Sequence, residues 1–354
     1  MSDPPVTLRP SAKHEWLVGA YYRAYALHKD NMRLPEALAL LTDLRNRAER
    51  EADPESALRG RIERLHGQVL IRMKDPSGRQ EIVNLFMRLG GRNADAPHEA
   101  KEHARLLSDL CRDLTLIGLH DEAVELATRI AERPVDRELH AFRLTNLAAW
   151  LLQRAVARRL EGKTGDASRD LDAAAEAATA AYDERLAAQG DRRHDQSLEL
   201  RECEAVRVST AVERGAIEPG DLSETSRRLV SLLAQTPDFS AAPETRLQIA
   251  YRVGRLGVAH VLSTASTERD HQVGLAYLRY AWDFTHNQVA RPWLPFYIAE
   301  SLCMHGSRDD GRAFAATALE RLIPQAGPDY IISRRLQEIA SGIRTPRRKR
   351  QKRA

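Results

Sequence analysis

His98 and His103, in the run H-E-A-K-E-H, first suggest a zinc-binding helix. Two histidines ligate one metal from a helix when they stand at i and i+4. These two stand five apart and diverge by about 140° on a helix of 3.6 residues per turn. The run therefore reads as a polar helix start after Pro97. E-G-K-T at 161–164 has the ending of a phosphate-binding loop. Such a loop needs a strand before it and a glycine five residues before Gly162, where Ala157 stands. Gly254-Arg255-Leu256-Gly257 and Gly90-Gly91 lack a strand–loop–helix context. Cys303 and His305 are neighbours with no second ligand pair at partner spacing. The expectation is a non-enzymatic protein with no catalytic residues, no metal and no cofactor. An enzyme reading requires a deep closed pocket with several perturbed carboxylates.

Two local signals concern binding. Tyr277, Tyr280, Trp282, Phe284, Trp293, Phe296 and Tyr297 place seven of the nineteen aromatics within 21 residues. They read as a packed junction between helices, or as anchors of a ligand groove. The second signal is the end of the chain. Arg344, Arg347, Arg348, Lys349, Arg350, Lys352 and Arg353 carry seven positive charges with no negative one among them. Such a tail can release counterions from a nucleic acid or contact an anionic membrane, or it can simply be solvated. It contains no aromatic, so base stacking within it is not expected.

The net charge of +4 minus the seven of the tail leaves residues 1–343 at −3. The body is mildly acidic and a poor nucleic-acid cradle as a whole. Of 54 basic residues, seven are lysine and the rest arginine, a skew that GC-rich codon usage produces without selection for nucleic acid. The three cysteines, Cys111, Cys203 and Cys303, are scattered and fit a reduced, cytoplasmic protein. The first ten residues lack a signal-peptide pattern. N-L-A-A-W-L-L at 146–152 falls far short of the roughly 20 apolar residues that span a bilayer.

The elements that position these residues are helical. Apolar residues at 43% and charged residues at 29% describe a folded chain, and strand formers are scarce. Helix-period spacing between breakers predicts seven hairpins, at 14–51, 54–90, 98–133, 137–190, 197–236, 243–287 and 291–323. Asp53-Pro54, Ala96-Pro97, Arg133-Pro134 and Ala242-Pro243 punctuate them. The stretch 154–195 is long for one hairpin and suggests a hinge or an interface arm. Residues 328–343 form a last amphipathic segment with Tyr330, Ile331, Ile332, Leu336, Ile339 and Ile343 on one side, a cap for the terminal apolar face. Residues 1–12 and 344–354 are expected to be disordered around a single helical domain at 13–343.

The third hairpin resembles a tetratricopeptide repeat. Leu107 and Leu110 are its large helix-A residues, Cys111 the small one, Gly118 the turn, and Ala123 the crossing alanine. Ala127 and Ile130 follow in helix B, and Pro134 ends it. Leu151, Ala155, Gly162, Ala167, Leu171 and Ala174 echo the spacing, as do Ala299, Leu302, Gly306, Gly311, Ala315 and Ala318. Small residues at a crossing let helix axes approach, and glycine lets the chain reverse. The resemblance implies an all-α fold, a right-handed superhelical array of about seven antiparallel helix pairs with a C-terminal capping helix. It implies a protein or peptide partner held in a concave groove lined by helix A. Matching positions put Arg105, Ser108 and Arg112 in that groove, with Arg159 from the fourth hairpin and Trp293 and Phe296 from the last. The alternative is a nucleic-acid-associated regulatory protein anchored through residues 344–354.

Overall fold

The computed structural model describes residues 15–51, 57–89, 97–132, 136–189, 268–285, 293–305 and 307–343, and seven positions between 203 and 214. Among the described residues there are twelve α-helices and no strand. Most of the hairpins predicted at 197–236 and 243–287, Gly306, residues 1–12 and the basic tail lie outside the described residues.

The chain divides into two compact units at Arg133 and Pro134, one of the proline punctuation points. The first holds α1 (Glu15–Lys29), α2 (Leu34–Glu51), α3 (Ala57–Arg72), α4 (Ser77–Leu89), α5 (Pro97–Leu116) and α6 (His120–Ala131). They pair as α1/α2, α3/α4 and α5/α6, and α2 and α4 each also pack on the next odd helix. The odd helices touch in succession, α1 on α3 and α3 on α5. The core follows the apolar period. Leu17, Leu41, Leu44, Ile62, Leu65, Ile82 and Leu89 are fully buried. So are Leu107, Leu110, Leu114 and Ala123 of the third hairpin. Burying each leucine contributes roughly 1.5–3 kcal/mol.

α3 and α4 cross closely at Gly78. A Cβ on Gly78 would stand 2.7 Å from the Gly67 carbonyl oxygen, the Ile71 nitrogen and the Leu70 Cβ.

Several helix ends share one hydrogen-bonded turn. After α5, the Leu119 N–H donates to the Leu114 carbonyl (2.8 Å) and the Gly118 N–H to Thr115 (3.0 Å), with Gly118 at φ +85. This is the Schellman turn that glycine favours. Lys163, Gly162 and Arg158 repeat it after α7, with Gly162 at φ +84. The glycine of E-G-K-T thus closes a helix. After α3 the same turn carries Lys74 at φ 61, with Asp75 donating to Leu70 (2.9 Å). A side chain in that conformation costs about 1 kcal/mol. Lys74→Gly is expected to stabilise the protein by about that amount, read from its urea midpoint; an unchanged midpoint contradicts the assigned backbone.

The second unit is built on α7 (Arg137–Leu160) and α8 (Thr164–Gln189), with α9 (Glu268–Thr285), α10 (Trp293–His305), α11 (Arg308–Ala326) and α12 (Ile331–Ala340). At 1.5 Å per residue α7 and α8 are each roughly 36–39 Å long, which accounts for the long fourth hairpin. Asp136 caps α7 by accepting from the Leu139 N–H at 2.9 Å. Buried alanines line the seam with α8: Ala148 packs with Ala177 and Ala178, and Ala155 with Ala167, Leu152 and Leu171. Asp170 ties the pair, accepting from Arg154 (2.7 and 3.0 Å) and Arg158 (3.0 Å). α10 and α11 cross at Gly311, where a Cβ would run into Cys303 Sγ and stand 3.1 Å from the Ala299 carbonyl oxygen.

α12 packs on α10 and α7, and Arg335 donates to the Leu160 carbonyl at the end of α7. Tyr330, Ile331, Ile332, Leu336 and Ile339 are buried as their spacing predicts, but Ile343 is 62% exposed. Gly342, at φ +76, ends the helix in a Schellman turn and takes Ile343 off the apolar stripe.

Candidate partner-binding face

The odd helices of the first unit bring chemistry-bearing side chains together. α1 contributes Tyr21, Tyr22, Tyr25 and His28 at helical spacing. The Tyr21 ring stands edge-on to Tyr22 at 5.7 Å and stacks on Tyr25 at 6.3 Å, and Tyr25 meets the His28 ring at 6.4 Å. α3 contributes Arg61, Arg64, Gln68 and Arg72, spaced three, four and four, which keeps them on one side of a helix. α5 contributes Glu102, Arg105, Asp109, Arg112 and Asp113.

Arg64 is the centre of this face. It is 7% exposed, donates from Nε to Asp113 Oδ2 at 2.5 Å and from Nη1 to Asp109 Oδ2 at 2.9 Å. Asp113, 2% exposed, also accepts from Gln68 Nε2 at 2.7 Å. A buried guanidinium and a buried carboxylate persist only with such mutual bonding. Arg61 reaches Glu102 at 2.7 Å through Nη2. The outer arginines are held more loosely. Arg112 stands 3.3 Å from Asp109 and 3.8 Å from Asp113, and Arg105 stands 3.8 Å from Glu102.

The electrostatics follow. Loss of water pushes the Asp109 carboxyl up, and the guanidiniums of Arg64, Arg112, Arg61 and Arg105 together outweigh it, holding the carboxyl below its ordinary value. Burial lowers the Arg64 guanidinium's affinity for its proton, but Asp109 and Asp113 reverse this and hold it above the ordinary arginine value. Burial pushes the Tyr25 hydroxyl up to about 12, with Tyr21 beside it adding to the shift. Burial likewise pushes the Cys111 thiol up, so it is an inert core group.

The Tyr25 shift has a measurable sign. Below pH 10 both folded and unfolded chains keep the proton, and the stability is fully present. Between about pH 10 and 12 the unfolded tyrosine ionises while the folded one does not, so stability falls. The loss is on the order of 2 kcal/mol for this residue. Urea midpoints measured across that interval are expected to decline less steeply in Tyr25→Phe than in the wild type. Parallel declines would contradict the assigned burial.

The residues named from the sequence fall in different surroundings. Arg105, Ser108 and Arg112 lie on α5, with Arg105 and Arg112 in the face just described. Arg159 belongs to the second unit. Its guanidinium pairs with Glu213, whose other oxygen accepts from the Tyr297 hydroxyl at 2.6 Å. Glu213 is 1% exposed at its side chain. Phe296 is 2% exposed and packs on Tyr297 at 5.3 Å. Trp293 opens α10, and its side chain lies outside the described residues. Elsewhere in the aromatic cluster, Trp282 meets Phe314 at 5.6 Å and lies under Arg321 at 5.3 Å. Trp282 and Tyr297 thus each reach a neighbouring helix. His103 is buried within α5, which begins at Pro97. Among the described residues no group of three or more His, Cys, Asp or Glu side chains is placed to hold a metal ion. Among them, too, no helix is long and apolar enough to cross a membrane.

Sequence reading alone missed Tyr21, Tyr22, Tyr25, Arg61, Arg64, Asp109 and Asp113. The available signal was the helical spacing of arginines on α3 against acids on α5, which becomes specific only when the two helices are known to touch.

No family model matches the chain, and no curated protein matches it either.

Proposed function

We propose that this is a non-enzymatic binding protein whose first unit presents the α1, α3 and α5 face to a protein or peptide. In this reading the helix pairs stack in the manner of tetratricopeptide repeats, as a right-handed superhelix closed by α12. One observation carries the proposal. Three successive odd helices place tyrosines, arginines and carboxylates on one continuous face, while the even helices pack between them. Tyrosine and arginine are the residues that most often anchor interfaces. The buried Arg64–Asp113 pair would hold the outer side chains in place before a partner arrives, so less ordering is needed on binding.

Selection of a random 12-residue display library on the full-length protein tests this. Enriched peptides are expected to bind wild type and to lose about tenfold in affinity with Tyr25→Ala or Arg112→Ala. Peptides that bind both variants as well as wild type would contradict it, as would a library that enriches nothing.

The tail at 344–354 supports a second reading, a nucleic-acid-associated protein, through its seven positive charges. Salt-sensitive binding of labelled DNA or RNA that disappears on truncation to 1–343 is its expected signature.

A further inference from the structure

We infer that the second unit holds a phosphate group, free or on a small phosphate monoester, through Arg185 of α8 beside the first turn of α7. The site uses none of the residues on which the peptide-binding reading rests.

The first argument is a buried cation short of partners. Arg185 lies near the end of α8 and is 7% exposed. Its Nε–H is buried with no acceptor among the described residues. The carboxylate beside it is that of Glu138, 3.5 Å from Nη1 and 71% exposed at its own side chain. A contact that long to a solvated group offsets little of the cost of taking a guanidinium out of water. Glu184, the preceding residue, is engaged elsewhere. It stands 3.6 Å from His140 Nδ1 and 3.8 Å from Arg137 Nε. A folded protein rarely leaves a buried donor unmet, and an anion from solvent is the partner that meets this one.

The second argument is the place. Arg137, Glu138 and His140 stand in the first turn of α7, a 24-residue helix. The N-terminal end of a helix carries partial positive charge and draws anions. Asp136 takes one N–H there, that of Leu139. Arg185 comes to the same end from α8 and adds a full charge. The position is also open to water, because Glu138 reaches Arg185 from the exposed side. An anion entering along that path displaces Glu138 and leaves the α7/α8 seam intact.

The third argument selects the anion. Glu138 keeps a tethered carboxylate beside Arg185, at a higher effective concentration than a free one reaches. It still stops at 3.5 Å, so a lone carboxylate is not what this guanidinium fits. A phosphate monoester brings three acceptor oxygens and roughly −1.5 to −2 charges at pH 7. Two of those oxygens suit the fork of Arg185. The third is left for Arg137, which is 67% exposed at its side chain and free to swing onto the ligand from solvent.

The test is isothermal titration calorimetry of the full-length protein with sodium phosphate at constant ionic strength. Saturable binding is expected, half-complete at about 1 mM, with acetate about tenfold weaker or more. Arg185→Met is expected to abolish phosphate binding. Glu138→Gln removes the competing carboxylate from an exposed position, so folding is preserved and phosphate is expected to bind about threefold more tightly. AMP in place of phosphate separates the two sources: tighter binding assigns a monoester, and weaker binding assigns the free ion. Absence of saturable phosphate binding would overturn the inference. So would wild-type affinity in Arg185→Met, acetate binding as tightly as phosphate, or a Glu138→Gln affinity at or below that of the wild type.

Discussion

Asp113→Ala is expected to destabilise the protein by about 3–5 kcal/mol, the largest effect of any single charge removal in the first unit. Asp113 is 2% exposed and accepts from Arg64 and Gln68. Its loss leaves Arg64, itself 7% exposed, with Asp109 as its remaining close carboxylate. A buried cation short of its counter-charge costs far more than the intact pair contributes. The double substitution Arg64→Met with Asp113→Leu removes both charges and is expected to regain most of that loss. The comparison separates charge burial from packing. Urea unfolding of the full-length chain, followed by circular dichroism, reads both numbers. A cost below about 1 kcal/mol for Asp113→Ala is the behaviour of a solvated pair and would contradict the burial described.

Gly78→Ala carries the second large effect, and its sign is unusual. Glycine to alanine inside a helix ordinarily stabilises by about 1 kcal/mol. Here the added Cβ would meet two backbone atoms and a Cβ, all at 2.7 Å. Backbone cannot move aside as a side-chain tip can, so α3 and α4 must separate. We expect a net loss of about 1–3 kcal/mol, the usual range for overpacking. Gly165→Ala, where a Cβ meets nothing within 4 Å, is the control and is expected to stabilise. Gly78→Ala falling on the stabilising side with Gly165→Ala would show that the α3/α4 crossing is wider than described.

These two substitutions also mark where sequence reading succeeded and where it stopped. Helix existence was legible because apolar spacing reports which side of a helix is buried. Leu107, Leu110 and Leu114 share that period, and all three are core. Gly118 and Gly162 were legible as turns because only glycine takes their left-handed backbone without cost. Lys74 hid the same turn, since nothing in a lysine announces it. Gly78 hid as well: a glycine one residue into a helix reads as a helix start until the facing helix is known. Ile343 was misplaced because periodicity continues on paper past the residue where Gly342 ends the helix.

The face itself was half legible. Arg105 and Arg112 came from the resemblance of one hairpin to a known repeat. Arg64, which holds Asp109 and Asp113, comes from a different hairpin, 45 and 49 residues earlier in the chain. Contact between α3 and α5 is what turns two unremarkable charged helices into one cluster. Phe296 illustrates the opposite failure. Its type suits a ligand anchor, but its burial on Tyr297 makes it part of the second unit's core.

The most direct test of the central claim is amide hydrogen exchange on the full-length protein, with and without a saturating peptide selected from the random library. The account predicts slowed exchange in α1, α3 and α5, at residues 15–29, 57–72 and 97–116, with α2, α4 and α6 little changed. Protection confined to α7–α12, or spread over the even helices alone, would contradict it.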